Sequence, residues 1–236
     1  MDSHSERSSS LIPLYNAIMD LYVPWRDSGC IYRKKAFIFL YEFYSKKFNV
    51  IVEDGSDKYG NFNLSAARNN AVKKGNGDIL IMIDACNYLS YEQIYNSIDA
   101  ATKNNMLIKP FDFLGYLTEE STNRIYQKDE EKLNYKNIIS WDLCSSHGGP
   151  VLDFGGSFVI KRSLYETIGG MNENFIGWGN EDREFCEISR NIFGQHIEVS
   201  GKNNHLYHPR LESQTLSQNN KDLLSYVKKE GKRKSV

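Results

Sequence analysis

Two adjacent acids and an indole occur together in the run Gly177-Trp178-Gly179-Asn180-Glu181-Asp182. Apolar residues at helical spacing follow, so the pattern places both acids in the first turn of a helix, whose dipole favours ionised carboxylates. A sugar ring can stack on an indole while an ionised acid takes a proton from a hydroxyl group. Helix caps alone would explain Glu181 and Asp182, but not the glycines beside the tryptophan.

Another acid, Asp84, follows a continuous apolar run at residues 79–83 that is typical of a strand buried on both faces. A carboxylate at the end of such a strand can bind a hard divalent cation, and the cation can hold a diphosphate. The same residue would serve equally well as the N-cap of the following helix, so both roles stay open.

Two histidines, His205 and His208, are three positions apart in the chain. Imidazole is a common metal ligand, but positions i and i+3 of an extended segment face opposite ways. Both rings would reach one ion only across a turn, and Pro209 favours the end of regular structure there. An ordinary surface or core role is an equal alternative for either histidine alone.

The elements predicted in the first half alternate between strand and helix. Strand-like runs lie at residues 21–23, 50–52 and 79–83, with helical patterns at 33–48, at 64–74 and after Asp84. This alternation predicts an α/β fold with a mostly parallel, Rossmann-like sheet flanked by helices. Ligands of such sheets bind beyond the carboxyl ends of the strands. The residues expected there are Pro24, Trp25, Arg26, Asp54 and Asp84, which outline a nucleotide pocket that several doubly wound enzymes would share.

The chain is predicted to form a single domain at residues 13–224. Its parts are a nucleotide-binding half at 13–109, an irregular, acid-rich loop or small insertion at 110–150, and an acceptor-binding half at 151–224. Loops of that length usually carry function or are mobile. We expect a flexible polar lead at 1–12 and a solvated basic tail at 225–236.

The composition indicates a soluble globular protein. The chain has 236 residues, 40% hydrophobic and 25% charged, and its formal net charge of −1 argues against a general polyanion binder. No apolar run reaches the roughly 18 residues of a membrane span, and the N-terminus lacks the apolar stretch of a secretion signal. The four cysteines form no close pair of the metal-binding or redox type. We therefore expect reduced thiols in a cytoplasmic protein.

Three longer patterns lie in order along the chain. They are residues 23–27 with 50–54; Asn63-Leu64-Ser65-Ala66-Ala67-Arg68-Asn69-Asn70 with 77–84; and the runs at 155–157, 169–173 and 175–182. Together they resemble metal-dependent nucleotide-sugar glycosyltransferases of the A fold. The first two patterns are similar to a family-2-like N-terminal half, and the third to the C-terminal module of galactosyl- and N-acetylgalactosaminyltransferases. The resemblance covers about residues 20–208 and implies a GT-A hexosyltransferase that uses a nucleotide diphosphate sugar, a UDP-sugar in the first instance.

The resemblance also implies a donor site and a metal. It places Asp54 and Arg68 at the nucleoside, Asp84 at the diphosphate and metal, and the run Pro24-Trp25-Arg26 at the end of the first strand, where the donor's base and ribose are held. The metal is expected to be divalent, Mn²⁺ first and Mg²⁺ as the alternative.

The resemblance assigns His208 as a metal ligand together with Asp84, and His205 falls where a second such ligand occurs. One position departs from the family: the third residue of its Asp-x-Asp motif is Cys86 here. A thiolate is a soft ligand that matches Mn²⁺ or Mg²⁺ poorly. Three readings stay open: Asp84 and His208 suffice, Cys86 ligates a softer ion, or the metal site has weakened.

The acceptor side is expected in the second half. By resemblance, Trp178, Glu181 and Asp182 shape the acceptor site, which Gly155 and Gly156 also line. The shape of the pocket around Gly155, Gly156 and Trp178 decides which sugar is transferred. Asp182 is expected to be the general base of an inverting displacement, with Glu181 as the alternative. The acceptor itself stays open among a glycan, a protein and a modified nucleic-acid base.

Two other functions compete with a glycosyltransferase. A catalytically inactive sugar-nucleotide-binding protein would explain Cys86 as decay of the metal site. A nucleotidyltransferase shares the sheet topology, but it would require a glycine-rich, lysine-bearing loop after the first strand, and residues 25–29 do not have that form.

Overall fold

A computed structural model of the protein describes residues 19–56, 61–128, 133–140, 156–177, 179–209 and 217–233. Its strands are β1 (Met19–Pro24), β2 (Phe48–Glu53), β3 (Ile79–Ile83), β4 (Asn87–Tyr88), β5 (Ile108–Lys109), β6 (Phe113–Leu117), β7 (Tyr135–Ser140), β8 (Ser157–Lys161), β9 (Ile197–Glu198) and β10 (Lys202–His205). Its helices are α1 (Ile31–Tyr44), α2 (Leu64–Lys74), α3 (Tyr91–Lys103), α4 (Glu119–Tyr126), α5 (Arg162–Ile168), α6 (Glu181–Phe193) and α7 (Gln218–Glu230).

The central sheet has six strands in the order β2-β1-β3-β8-β5-β9. Strand β1 pairs in parallel with β2 and β3, and β5 pairs in parallel with β9. Strand β8 runs antiparallel to β3 and β5. The predicted α/β fold with a mostly parallel sheet is therefore confirmed, with β8 as its antiparallel member.

Strand β3 is buried on both faces, as its continuous apolar run predicts. Ile81 and Ile83 join the hydrophobic cluster that includes Leu40 of α1 and Ile94 of α3. Leu80 and Met82 belong to a second cluster on the opposite face, with residues of α2, α5 and α6. Because alternate side chains of a strand point to opposite faces, one strand anchors both layers of helices.

Residues 110–150 differ from the predicted irregular loop. The described part forms β6, α4 and β7, and a second sheet has the order β4-β10-β6-β7. Two acids of this segment, Glu119 and Glu120, are not loop residues, since they occupy the first turn of α4. A helix N-terminus favours such charges, and the Thr118 side chain caps it by accepting from the N–H of Ser121. Residues 129–132 and 141–150 lie outside the described part.

The C-terminal segment also differs from the predicted basic tail. Helix α7 crosses the expected boundary at residue 224 and continues to Glu230. Leu224 and Val227, three positions apart, are buried in the fold, while Lys228 and Lys229 lie in the last turn, where the helix dipole favours cations. Lys228 and Lys229 therefore belong to a packed helix. The predicted lead at 1–12 lies outside the described residues.

Within the part of the chain that the structure describes, no helix has the length and apolar character that crossing a membrane requires.

Candidate active site

The carboxyl ends of β1 and β2 bring the predicted nucleoside-binding residues together. Pro24 and Glu53 are register partners, and the Trp25 N–H donates to the Glu53 carbonyl at 2.9 Å. The Trp25 ring stacks on Phe37 of α1, with centroids 4.5 Å apart. The strand pairing therefore places Trp25 beside the position that follows Glu53, which is Asp54.

Ser56 links Arg26 to Asp54. The Arg26 Nη1 donates to Ser56 Oγ at 3.2 Å, while Ser56 donates to Asp54 Oδ1 from its backbone N–H at 2.8 Å and from Oγ at 2.6 Å. The Arg26 guanidinium also lies 5.3 Å from the ring centre of Phe62. A cationic group and a carboxylate therefore lie together at the rim formed by the carboxyl ends of β1 and β2, as the sequence predicts.

Arg68 of α2 occupies a different position from the one that the resemblance implies. Its side chain is 0% exposed, and it donates from Nη2 to Asp84 Oδ1 at 2.8 Å and from Nη1 to Asp182 Oδ1 at 2.5 Å. A fully buried guanidinium presents no surface to a nucleoside. In this structure Arg68 instead joins the acid at the end of β3 to the acid at the start of α6.

Asp84 is fixed by the backbone as well as by Arg68. Its N–H donates to the Gly156 carbonyl at 2.9 Å. Gly156 has φ +77°, and a Cβ atom built there would lie 2.2 Å from Asp84 Oδ2. The structure therefore places Gly156, predicted to line the acceptor pocket, directly against Asp84. Gly155 and Trp178 lie outside the described residues.

Glu181 and Asp182 are the first two residues of α6, as the sequence predicts. Glu181 is 7% exposed, and its Oε2 has no hydrogen-bond partner among the described residues. Burial, and then the negative charge of Asp182, raise the pKa of Glu181 to about 8. Glu181 is therefore protonated at neutral pH, whereas Asp182 is paired with the Arg68 cation.

Cys86, His205 and His208 form a cluster whose ligand atoms all lie within 4.8 Å of one another. The pairing of β10 with β4 creates it, because His205 is the register partner of Asn87 and the Leu206 N–H donates to the Cys86 carbonyl at 2.8 Å. Strand β10 ends at His205, and the rings of His205 and His208 lie with their centroids 5.1 Å apart and their planes inclined at 50°.

The cluster has the composition of a site for a divalent cation, since a thiol and two imidazoles offer three donor atoms. Burial lowers the pKa of His205 to about 4, which keeps that ring neutral and able to coordinate. The predicted metal ligand Asp84 lies outside the cluster, where Arg68 binds its Oδ1. The structure thus joins three of the four predicted ligands.

Comparison with known proteins identifies the class of protein. Residues 33–192, more than half of the chain, match the family described as "Glycosyltransferase like family 2". The chain belongs to this family. No curated protein sequence matches it at a significant level.

Solved glycosyltransferases share the fold at low sequence identity. The catalytic domain of Drosophila beta1,4galactosyltransferase 7, solved with xylobiose, has a TM-score of 0.52 and 16% identity, over 88% of this chain and 79% of that chain. Glucosyl-3-phosphoglycerate synthase from Mycobacterium tuberculosis, solved with Mn²⁺ and UDP-glucose, has a TM-score of 0.54 and 11% identity, over 93% and 81%. A mannosyltransferase from Pyrobaculum calidifontis, solved with GDP-Man and Mn²⁺, has a TM-score of 0.52 and 14% identity, over 84% and 59%.

These likenesses confirm the predicted A-type fold, and the family confirms the predicted class of enzyme, a glycosyltransferase.

Proposed function

We propose that the protein transfers a sugar from a nucleotide diphosphate donor, a UDP-sugar, to an acceptor hydroxyl with inversion at the anomeric carbon. One observation carries the proposal: Arg68 draws Asp84, at the carboxyl end of β3, and Asp182, at the start of α6, into one site. A donor phosphate site and an acceptor base must lie this close for a single displacement.

The donor side is supported by the rim at the ends of β1 and β2. Arg26 offers a cation and Asp54 a carboxylate there, joined through Ser56. A carboxylate can accept hydrogen bonds from ribose hydroxyls or from a base N–H. The fold neighbour from M. tuberculosis, solved with UDP-glucose and Mn²⁺, supports a UDP-sugar and a divalent ion.

The residues that would hold the cation are Cys86, His205 and His208. A divalent ion bound there supplies positive charge that stabilises the leaving diphosphate. Cys30, Cys86 and Cys186 form no disulfide within the described part of the chain, which agrees with our proposal that the protein works in the cytoplasm, where thiols stay reduced.

Asp182 is our proposed general base, and Arg68 is its positioning residue. Arg68 engages Oδ1 of Asp182, which leaves Oδ2 to accept the proton of the attacking hydroxyl. Glu181 is the weaker candidate, because its pKa of about 8 keeps it protonated at neutral pH. A protonated acid accepts no proton.

The test is transfer and donor hydrolysis across nucleotide sugars and divalent metals, with NMR assignment of the product anomer. We expect inversion, and we expect Asp182→Asn to lower kcat by about 10²–10⁴-fold. Asp99→Asn, in the exposed ion pair with Lys103 on α3, is the matched control and should retain activity. A retained anomeric configuration, or full activity of Asp182→Asn, would contradict the proposal.

One observation favours a second candidate, a sugar-nucleotide-binding protein without catalysis. Arg68 occupies Asp84 Oδ1, and Asp84 lies outside the Cys/His cluster. Calorimetry with UDP-sugars, with and without a divalent metal, separates the two functions. Tight binding that needs no metal and gives no turnover would select the second. The acceptor, whether glycan, protein or modified nucleic-acid base, follows from product analysis once a donor is found.

A further inference from the structure

We propose that Cys86, His205 and His208 form a thiolate–imidazole metal centre that selects a borderline-soft cation of the Zn²⁺ class over Mn²⁺. The ion would serve the site described above, so the assignment of its role rests on the proposed function. The identity of its ligands and its selectivity rest on the cluster alone.

The three side chains are brought together by strand pairing. Cys86 Sγ lies 3.2 Å from His205 Nε2, and the ligand atoms of all three residues lie within 4.8 Å. Backbone pairing of His205 with Asn87, and the bond from the Leu206 N–H to the Cys86 carbonyl, fix the two segments relative to each other. Tetrahedral ligands with bonds of about 2.0–2.3 Å are themselves about 3.3–3.8 Å apart, so little movement is needed to enclose an ion.

The second imidazole is held in a form that can coordinate. His208 Nδ1 lies 3.1 Å from the carbonyl oxygen of Pro209. A carbonyl only accepts, so in the neutral ring the proton lies on Nδ1 and the lone pair on Nε2. Metal-binding histidines usually donate their other N–H in this way, which fixes the orientation of the ring.

The chemistry of the donors decides the selectivity. Two imidazoles and a thiolate suit Zn²⁺, whereas Mn²⁺ and Mg²⁺ favour carboxylate and carbonyl oxygens. The hard oxygen donor that the sequence predicts, Asp84, has its Oδ1 bound by Arg68 and is not part of the cluster. Three protein ligands with a fourth position open is the arrangement of catalytic zinc, and the open position is available to an oxygen of the donor.

The experiment uses the full chain, freed of metal by a chelator and kept reduced, with no nucleotide present. Competition against a chromophoric chelator gives affinities for Zn²⁺ and Mn²⁺, and Co²⁺ serves as a spectroscopic probe. We expect one equivalent of Zn²⁺ bound at least 100-fold more tightly than Mn²⁺, and a thiolate-to-Co²⁺ charge-transfer band in the near ultraviolet.

Two variants test the role of the sulfur. Cys86→Ser should lose the charge-transfer band and bind Zn²⁺ at least tenfold more weakly. Cys30→Ser is the control and should match the wild type, because the Cys30 thiol forms no disulfide and makes no capping bond at the start of α1. Cys86→Asp supplies a hard oxygen donor, so the ratio of the Zn²⁺ affinity to the Mn²⁺ affinity should fall at least tenfold. Circular dichroism checks that each variant folds, and the wild-type band does not depend on either of them.

Equal affinity of the wild type for Zn²⁺ and Mn²⁺, or an unchanged band in Cys86→Ser, would overturn the proposal. Because no nucleotide enters these measurements, the result is independent of sugar transfer. A protein that binds Zn²⁺ through Cys86 without turnover rejects the transferase alone, and one that transfers sugar without a thiolate band rejects the soft metal centre alone.

Discussion

Arg68 of α2 and Asp182 of α6 are 114 positions apart in the chain, yet Nη1 of one and Oδ1 of the other lie 2.5 Å apart. The guanidinium is fully buried and also binds Asp84. A buried cation of this kind requires its paired acids, and the acids depend on it in turn. The proposed base is therefore fixed by a residue that no solvent reaches.

Replacing Arg68 should affect both stability and transfer. Arg68→Met leaves two carboxylates without their cation, and we expect a loss of about 3–5 kcal/mol in the free energy of unfolding. Arg68→Lys keeps the charge but cannot form the fork of two bonds, so we expect a folded protein with lower kcat. Urea denaturation and transfer kinetics measure the two effects. Arg124→Met, in a partly exposed pair with Glu120, is the control and should change stability by less than about 1 kcal/mol.

Gly156→Ala should damage the site through a close contact. The new Cβ would lie 2.2 Å from Asp84 Oδ2, at a residue with φ +77°. We expect destabilisation of about 1–3 kcal/mol and a large fall in transfer, because Asp84 must move. Gly29→Ala is a matched control, since Gly29 has φ +74° and no atom within 4 Å of the added Cβ. It shares the backbone strain without the contact, so equal effects of the two changes would contradict the explanation.

The parallel strands β1, β2 and β3 of the central sheet could be predicted because each has an apolar run of its own, whereas β5 and β9, of two residues each, could not. The run at 79–83 is apolar throughout, and it forms β3, whose alternate residues pack into two hydrophobic clusters on opposite faces of the sheet. The acids after β2 and β3 could then be placed at one edge from the topology of parallel strands. Glu181 and Asp182 could be placed at a helix start from the glycines before them and the apolar spacing after them.

The second sheet could not be predicted, because two of its four strands, β4 and β10, are short and polar. Strand β10 reads Lys-Asn-Asn-His, and its stability comes from pairing with β4 and β6, not from hydrophobic alternation. Asn203 and Asn204 are buried there, against the usual preference of asparagine. The Cys86–His205 contact depends on this pairing, so it could not be predicted from the sequence either. The role of Arg68 had one signal, an arginine between the small residues Ala67 and Ala71, which are themselves fully buried.

Arg233 should stabilise the helix that carries the proposed base. Its guanidinium binds the fully buried carboxylate of Glu184, with Nε 2.7 Å from Oε1, and it also donates to the carbonyls of Ile168 and Gly170. Arg233→Met leaves the buried charge of Glu184 without its partner, and we expect the free energy of unfolding to fall by about 3 kcal/mol. This is the lower end of the range for breaking a buried ion pair, because Arg233 keeps some contact with water. Lys232→Met, one residue earlier and exposed, should be nearly neutral. Similar melting curves for the two variants would show that Arg233 is not a structural anchor.

Glu181 should make the stability of the fold depend on pH in a defined window. Its pKa is raised from 4.5 to about 8 by burial and then by Asp182. Between these values the folded state holds a proton that the unfolded state has lost, so the free energy of unfolding falls as the pH rises. The stabilisation is complete below pH 4.5 and is lost as the pH passes through about 8.

Glu181→Gln removes that proton exchange. The stability of the wild type relative to this variant should therefore decrease steadily from about pH 5 to pH 8 and level off above, as measured by urea denaturation with a chelator present. In an Asp182→Asn background the decrease should be smaller, because the neighbouring negative charge that helps to raise the pKa of Glu181 is gone. Parallel pH profiles for the wild type and Glu181→Gln would show that Glu181 ionises at the same pH in the folded and unfolded states. In that case burial would not raise the pKa of Glu181, its carboxyl group would be ionised at neutral pH, and Glu181 would be as good a candidate for the general base as Asp182.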